Sequence, residues 1–336
     1  MLDRNIEVMQ QHPLDGSRIL VLPLVALGDL TIFLHLAWRL SASGAQLTIS
    51  SDALFPARGY FPWLNVLPHL DVPISQLAAQ YDLVIASYER FYLHGNWSHG
   101  CKGLKNVALV TAKKISRSSG LLERKLLVND NSFEGATCAF CKNTKAGLSM
   151  VKWVDHYVEE VFKIDKFPIQ PILSGVPEGP RGGNFVLIFP TTPEPRKNFW
   201  LLGFRMIARS LSRRGWRVEF ACMSSEQARL RTALPGFPVK TSANLKELIE
   251  YVGAAEWVIS NDSGGGHLAS LMNKSTITIT RRSDDFVWRP GFNVNNTVIH
   301  PYIKFKVLGR YIWRPFVPVW QALKVIGFPV SRGSAL

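Results

Sequence analysis

Residues 18–25 (RILVLPLV) form a nearly unbroken apolar run, the pattern of a parallel strand covered on both faces. Gly28-Asp29 breaks the run, and residues 30–40 then carry apolar side chains at helical spacing. Residues 46–50, 81–87 (YDLVIAS) and 106–111 (NVALVT) predict further short buried strands. Strands alternating with helical stretches predict βαβ units. Between residues 168 and 183 the pattern stops: Pro168, Pro171, Pro177 and Pro180 alternate with Gly175, Gly179, Gly182 and Gly183, which marks a linker and hinge. Beyond it the pattern restarts, with strands predicted over 184–190, 216–221, 257–260 and 275–280. Helices are predicted over 199–213, 245–252 and 263–272. The expected organisation is one α/β unit over 1–170, a linker over 171–183, and a second α/β unit over 184–305. A basic, aromatic segment follows over 306–336 and is expected to pack back on the first lobe.

Composition narrows the class. With 47% hydrophobic and 19% charged residues among 336, a sizeable core is available and disorder is excluded. Lys and Arg number 39 against 25 Asp and Glu, a net charge of +14 that favours anionic partners. The stretch 20–40 is long enough to span a bilayer, but Asp29, His35, Arg39 and the Gly28-Asp29 break mark it as a strand followed by a helix. The first 18 residues have no apolar segment behind a basic start and do not read as a secretory signal. Four cysteines (Cys101, Cys138, Cys141, Cys222) are too few for a disulfide framework. A cytoplasmic protein, soluble or peripheral to a membrane, is the expectation.

Several segments carry candidate chemistry. Asn261-Asp262-Ser263-Gly264-Gly265-Gly266-His267 lies between an apolar strand and a helix. Glycines there let backbone approach a ligand, and the helix start offers free N–H groups to phosphate. A capped helix after a glycine turn, with His267 as a packing residue, is the plainer reading. Thr191, Thr192 and Lys197 follow the strand at 184–190, where open α/β sheets bind ligands. Glu226 follows the next strand and is placed to accept hydrogen bonds from a ribose, or to be a surface carboxylate. Asp29, after the first strand, is suited to be a general base or a helix cap. Cys138 and Cys141 have metal-ligand spacing, but a single pair is half a site and free thiols are the default. No HExxH, Walker A or GxSxG motif occurs.

Taken in order, these pieces resemble glycosyltransferase family 9, the ADP-heptose:lipopolysaccharide heptosyltransferases. Leu27-Gly28-Asp29 is similar to the family's opening Gly-Asp motif. Thr191-Thr192 with Arg196-Lys197-Asn198-Phe199-Trp200 is similar to its Thr-Thr segment, and Asp262-Ser263-Gly264-Gly265-Gly266-His267 to its Asp-(Ser/Thr)-Gly-x-x-His signature. His156-Tyr157-Val158-Glu159 resembles its His-x-Val-Glu run. The resemblance implies an α/β fold of GT-B type, two Rossmann-like lobes facing each other across a cleft. It implies an acceptor in the first lobe, a nucleotide-sugar donor on the second, and inversion without a metal or other cofactor. Asp29 would be the base, and Thr191, Thr192, Lys197 and the backbone of Ser263, Gly264, Gly265 and Gly266 would hold the diphosphate. Glu226, Asp262 and His267 would hold ribose or sugar. The chain departs from the family where a Gly-Pro-Thr-Asp-Pro-like turn is usual near the donor sugar; it reads Thr280-Arg281-Arg282-Ser283-Asp284-Asp285.

Lys102, Lys105, Lys113, Lys114 and Arg117 form a basic cluster suited to a phosphorylated, lipid-linked oligosaccharide acceptor, or to a solvated face. Residues 302–332 interleave Lys and Arg with Phe, Tyr and Trp, a composition suited to the anionic inner face of the cytoplasmic membrane. The reading is therefore an inverting transferase of lipopolysaccharide-core or related surface-glycan assembly. A different nucleotide sugar, an epimerase of the same fold, and a non-catalytic binder of anionic lipid or nucleic acid are the alternatives. No recognised nucleic-acid motif occurs, and nucleic acid is not an expected partner.

Overall fold

A computed structural model describes residues 11–94, 101, 103–112, 114–179 and 183–328. The first lobe holds β1 (Arg18–Leu22), β2 (Gln46–Ser50), β3 (Asn65–Leu67), β4 (Leu83–Ser87) and β5 (Val107–Thr111). A hairpin of β6 (Leu126–Val128) and β7 (Asn131–Phe133) follows, then β8 (Cys138–Ala139). The sheet is parallel with order β3-β2-β1-β4-β5-β8. Its helices are α1 (Leu27–Ser41), α2 (Ile74–Gln80) and α3 (Met150–Phe162). The apolar runs read from the sequence are the central strands, whose every residue is buried in β4 and β5 because helices cover both faces.

The second lobe repeats the plan with β9 (Phe185–Phe189), β10 (Arg217–Ala221), β11 (Val239–Lys240), β12 (Trp257–Asn261), β13 (Ser275–Ile279) and β14 (Asn296–Ile299). Its parallel order is β11-β10-β9-β12-β13-β14. Helices α4 (Leu201–Arg213), α5 (Gln227–Ala233), α6 (Leu245–Ala254) and α7 (Gly264–Leu271) connect the strands. In both sheets the strand order reverses beside the first strand, the place where open α/β sheets bind ligands. Two Rossmann-like lobes of GT-B type are thus present. Among the described residues no helix is long and apolar enough to cross a membrane.

One apolar cluster runs through both lobes. Leu27, Leu30 and Leu34 of α1 share a seam with Leu268 and Leu271 of α7. Polar ties reinforce it: the Tyr60 hydroxyl donates to Glu250 at 2.6 Å, and Met150 N–H to the Val287 carbonyl at 2.7 Å. Behind the seam, α1 meets α3 through a buried ionic group. Asp155 accepts His35 Nε2 at 2.9 Å and faces Arg39 Nε at 3.1 Å, and Arg39, fully buried, also reaches Glu159 at 3.2 Å. Burial pushes the Asp155 carboxyl up, but His35 and Lys152 outweigh it and hold it below the ordinary carboxylate range. Removing one partner from such a pair costs about 3–5 kcal/mol, because the other charge stays buried.

Three expectations change. Helix α1 starts at Leu27, not Leu30, so Gly28 and Asp29 lie in its first turn rather than before it, and Asp29 is no N-cap; that place belongs to Ala26. The second sheet does not close at residue 280, since β14 extends it. The C-terminal segment packs on the second lobe, not the first. There α8 (Val319–Ile326) lies on α4, Trp313, Ala322 and Ile326 complete the second core, and Arg214 Nη1 donates to the Leu323 carbonyl at 2.5 Å. That face of α4 and β10 is apolar and needs the cover. The linker is pinned where described: Trp63 and Trp38 donate to the carbonyls of Ile172 and Gln170. A Cβ on Gly179 would come within 2.6 Å of the Ala254 carbonyl. Pro180 and Gly182 lie outside the described residues.

Candidate functional site

The carboxyl ends of β9, β10 and β12 and the first turn of α1 line one cavity of about 810 Å³ between the lobes. Helix α7 points its N-terminus into it. Its N-cap, Ser263, makes no side-chain capping bond, and the Ser263 hydroxyl is buried with no hydrogen-bond partner. The first N–H groups of a helix have no acceptor inside it and carry the positive end of its dipole. Free backbone N–H groups therefore point where an anion would sit, with the unpartnered Ser263 hydroxyl beside them.

The three glycines are there for room rather than for backbone freedom, since none has a positive φ. A Cβ on Gly264 would meet Leu27 Cβ at 2.7 Å and Gly28 N at 3.1 Å, across the lobe boundary. One on Gly265 would meet the Phe189 ring at 2.8 Å, and one on Gly266 the Ser260 hydroxyl at 2.4 Å. Gly28 in turn packs on His267 and Gly264. The N-terminal turns of α1 and α7 thus touch, bringing Asp29 to the cavity that the α7 N-terminus faces.

The loop after β9 is fixed by buried hydrogen bonds. Asn261, at the end of β12, accepts the Phe199 N–H at 2.8 Å and donates to the Pro190 carbonyl at 2.8 Å. Thr192 spends its hydroxyl within the loop, on Asn198 and the Glu194 carbonyl. Thr191 donates to Glu226 at 2.8 Å, and Glu226 also faces Arg229 at 3.4 Å. Lys197 stands 3.3 Å from the buried Asp262 carboxylate and 3.7 Å from Glu194. His267 is buried against Trp288, and burial holds its imidazole below the usual range despite the Asp262 charge, leaving the ring neutral at pH 7.

Asp29, Thr191, Thr192, Lys197, Glu226, Asp262, Ser263, Gly264, Gly265 and His267 all line this cavity. Gly266 lies behind it, against Ser260 and Pro290. Lys105, Lys114 and Arg117 are exposed and do not line it; Lys102 and Lys113 lie outside the described residues. His156 and Glu159 sit on α3, with Glu159 serving the Arg39 network. Cys138 and Cys141 are free thiols; burial pushes Cys138 up to about 12 and raises Cys141 as well. Among the described residues no three His, Cys, Asp or Glu gather to hold a metal ion.

Pattern reading passed over several lining residues. Met223, Leu245 and Leu248 give the cavity an apolar flank, and Arg281, Arg282 and Trp288 form another wall. Arg281-Arg282 was visible as a departure from the family turn; the apolar flank carries no sequence signal, because helices and loops everywhere contain such residues. At the carboxyl ends of β4 and β5, Glu89 accepts from Ser87 at 3.3 Å and from the Thr111 hydroxyl, a buried group that no motif announced.

The helix contact makes a prediction. Gly264→Val, overfilling the junction, is expected to lower stability by about 1–3 kcal/mol in urea unfolding. Gly59→Ala, where an added Cβ meets nothing within 4 Å, is the neutral control. An unchanged midpoint for Gly264→Val would show that the two turns do not pack as described.

Comparison with known proteins agrees with this geometry. Residues 153–305 match the model of glycosyltransferase family 9 (heptosyltransferase). Among solved structures, the chain is similar to the glycosyl transferase family 9 protein from Veillonella parvula DSM 2008. That match has a TM-score of 0.64 and 14% identity, covering 93% of this chain and 96% of that one. It is similar to E. coli ADP-heptose lps heptosyltransferase II at TM-score 0.59 and 15% identity, over 92% and 97% of the two chains. With E. coli heptosyltransferase WaaC bound to ADP-2-deoxy-2-fluoro heptose the TM-score is 0.54 at 15% identity, over 84% and 92%. At such identities the structural likeness speaks for the fold. No curated protein matches the chain. Residues 153–305 form a glycosyltransferase family 9 domain, and the protein is a glycosyltransferase of two-lobed GT-B fold.

Proposed function

We propose that the protein moves heptose from ADP-heptose to a saccharide acceptor of the lipopolysaccharide core or a related surface glycan, with inversion. The observation that carries this reading is the α7 N-terminus, uncapped by any side chain, opening on the cavity that Asp29 lines from the other lobe. An acceptor hydroxyl attacks the anomeric carbon while Asp29 takes its proton. The bond to the nucleoside diphosphate breaks, and its electrons leave with the diphosphate. The α7 N–H groups, the Ser263 hydroxyl and Lys197 face the charge that develops there; losing one such stabilising group typically costs about 10²–10³ in rate. These protein groups supply the positive field, so transfer calls on no metal. The apolar flank of Met223, Leu245 and Leu248 receives the base, and Glu226 the ribose. The lobes close around donor and acceptor and exclude water, which would hydrolyse the donor. The similarity to a heptosyltransferase solved with an ADP-heptose analogue supports ADP as the nucleotide.

Thermal unfolding in the presence of ADP, UDP, GDP and CMP tests this. ADP at about 100 times its dissociation constant is expected to stabilise by about 2.7 kcal/mol, with and without EDTA. Stabilisation by UDP or GDP alone replaces the donor, and no response to any nucleotide contradicts the reading.

The lipid-borne acceptor is supported by the hairpin of β15 (Phe305–Val307) and β16 (Arg310–Ile312), whose six residues are all exposed. Leu308 at its tip is 98% exposed, beside Lys304, Lys306 and Arg310, and no Asp or Glu occurs after Asp285. Apolar side chains set among cations with no acids suit an anionic bilayer surface. The hairpin adjoins the cavity, since the Arg281 guanidinium lies 4.4 Å from the Tyr311 ring centre. Phosphatidylglycerol vesicles are expected to sediment the protein at low salt and phosphatidylcholine vesicles to leave it in solution. Leu308→Asp is expected to abolish the difference; equal behaviour toward both lipids would remove the membrane from the account.

A further inference from the structure

Two guanidinium groups in the cavity wall have no role in the chemistry above. Arg281 and Arg282 follow the carboxyl end of β13, one strand out from β12, and both are half-buried and line the cavity. The other cation there, Lys197, faces Asp262 and Glu194. Neither arginine has a carboxylate partner among the described residues. The acids nearest in sequence, Asp284 and Asp285, are exposed, and Asp285 accepts the Ser283 hydroxyl.

Aromatic rings hold the pair instead. Arg281 lies 4.4 Å from the Tyr311 ring centre and Arg282 5.7 Å from that of Phe286. Lys304 Nζ donates to the Arg281 carbonyl at 3.3 Å, adding a third positive charge at the rim. Stacking fixes a guanidinium without neutralising it, so its N–H fork stays able to bond an anion. Adjacent arginines in a partly desolvated wall repel one another, and a bound anion relieves that repulsion.

We propose that Arg281 and Arg282 form a subsite for an anionic substituent, carboxylate or phosphate, on the saccharide bound in this cavity. The proposal rests on the nucleotide-sugar reading, in which the α7 N-terminus and Lys197 take the donor diphosphate and leave this wall to a sugar. The paired guanidiniums favour a charged saccharide over its neutral counterpart through charge-assisted, bidentate hydrogen bonds.

Calorimetric binding to the ADP-saturated protein tests the subsite, with glucose 6-phosphate, glucuronate and glucose as probes. At least one charged sugar is expected to bind about tenfold or more tightly than glucose, as one or two charge-assisted hydrogen bonds would give. Which of the two binds separates phosphate from carboxylate. The double variant Arg281→Gln/Arg282→Gln is expected to lose this preference while keeping its affinity for ADP and its unfolding temperature. Equal binding of glucose and both charged sugars overturns the proposal, as does an undiminished preference in the variant. A parallel loss of ADP affinity overturns it too, by assigning the arginines to the diphosphate. If no nucleotide binds the parent protein, the transfer reading fails on its own, and the sugar series run without nucleotide still decides the subsite.

Discussion

The contact on which the site depends is the meeting of two helix N-termini across the lobe boundary. Gly264 of α7 lies so close to Leu27 and Gly28 of α1 that a single added methyl group would collide with the Leu27 side chain and crowd the Gly28 N–H. Both turns are held from behind. α1 is fixed by the Arg39–Asp155 group and its seam with α7, and α7 by the packing of Gly265 on Phe189 and Gly266 on Ser260. The glycines that read as a phosphate loop are therefore first a steric requirement. By removing side chains they bring two positive helix ends to one cavity.

Those two ends present different groups. The α1 turn carries Asp29, an acid where the dipole favours negative charge, whereas the α7 turn offers uncapped N–H groups and a buried hydroxyl. On the proposed reading, these supply the proton acceptor and the anion holder that displacement at an anomeric carbon requires. The loop after β9 supplies Lys197, steadied by Asp262, and the loop after β13 supplies two arginines steadied by rings. Charged side chains thus come from the loops at successive strand ends, and the parallel topology sets their order around the cavity.

Much of this was legible in the sequence, for identifiable reasons. Strands buried on both faces leave unbroken apolar runs, so β1, β4, β5, β9, β12 and β13 could be read directly. Edge strands such as β3, β11 and β14 are short and half polar, and they passed as loops. The start of α1 was misplaced because Gly28-Asp29 looks like a break, although Gly28 lies within the first helical turn and packs on His267 and Gly264, more than 230 residues away. His35 and Arg39 counted only as polar interruptions in an apolar stretch; their partner Asp155 lies 120 residues from His35, beyond any local pattern. Thr191, Thr192, Lys197 and residues 262–267 could be picked out because they cluster in short motifs at strand ends. The Met223, Leu245 and Leu248 flank was not, since it is assembled from separate connections.

The central claim, that Asp29 is the base opposite an anion-binding helix end, is tested most directly by separating binding from turnover in Asp29→Asn. Nucleotide affinity is expected to match the parent protein, because the α7 side is untouched. Transfer from the nucleotide sugar is expected to fall by about 10²–10⁴, the usual contribution of a general base. Transfer at the parent rate with intact nucleotide binding would contradict the account and place the base elsewhere on the first lobe.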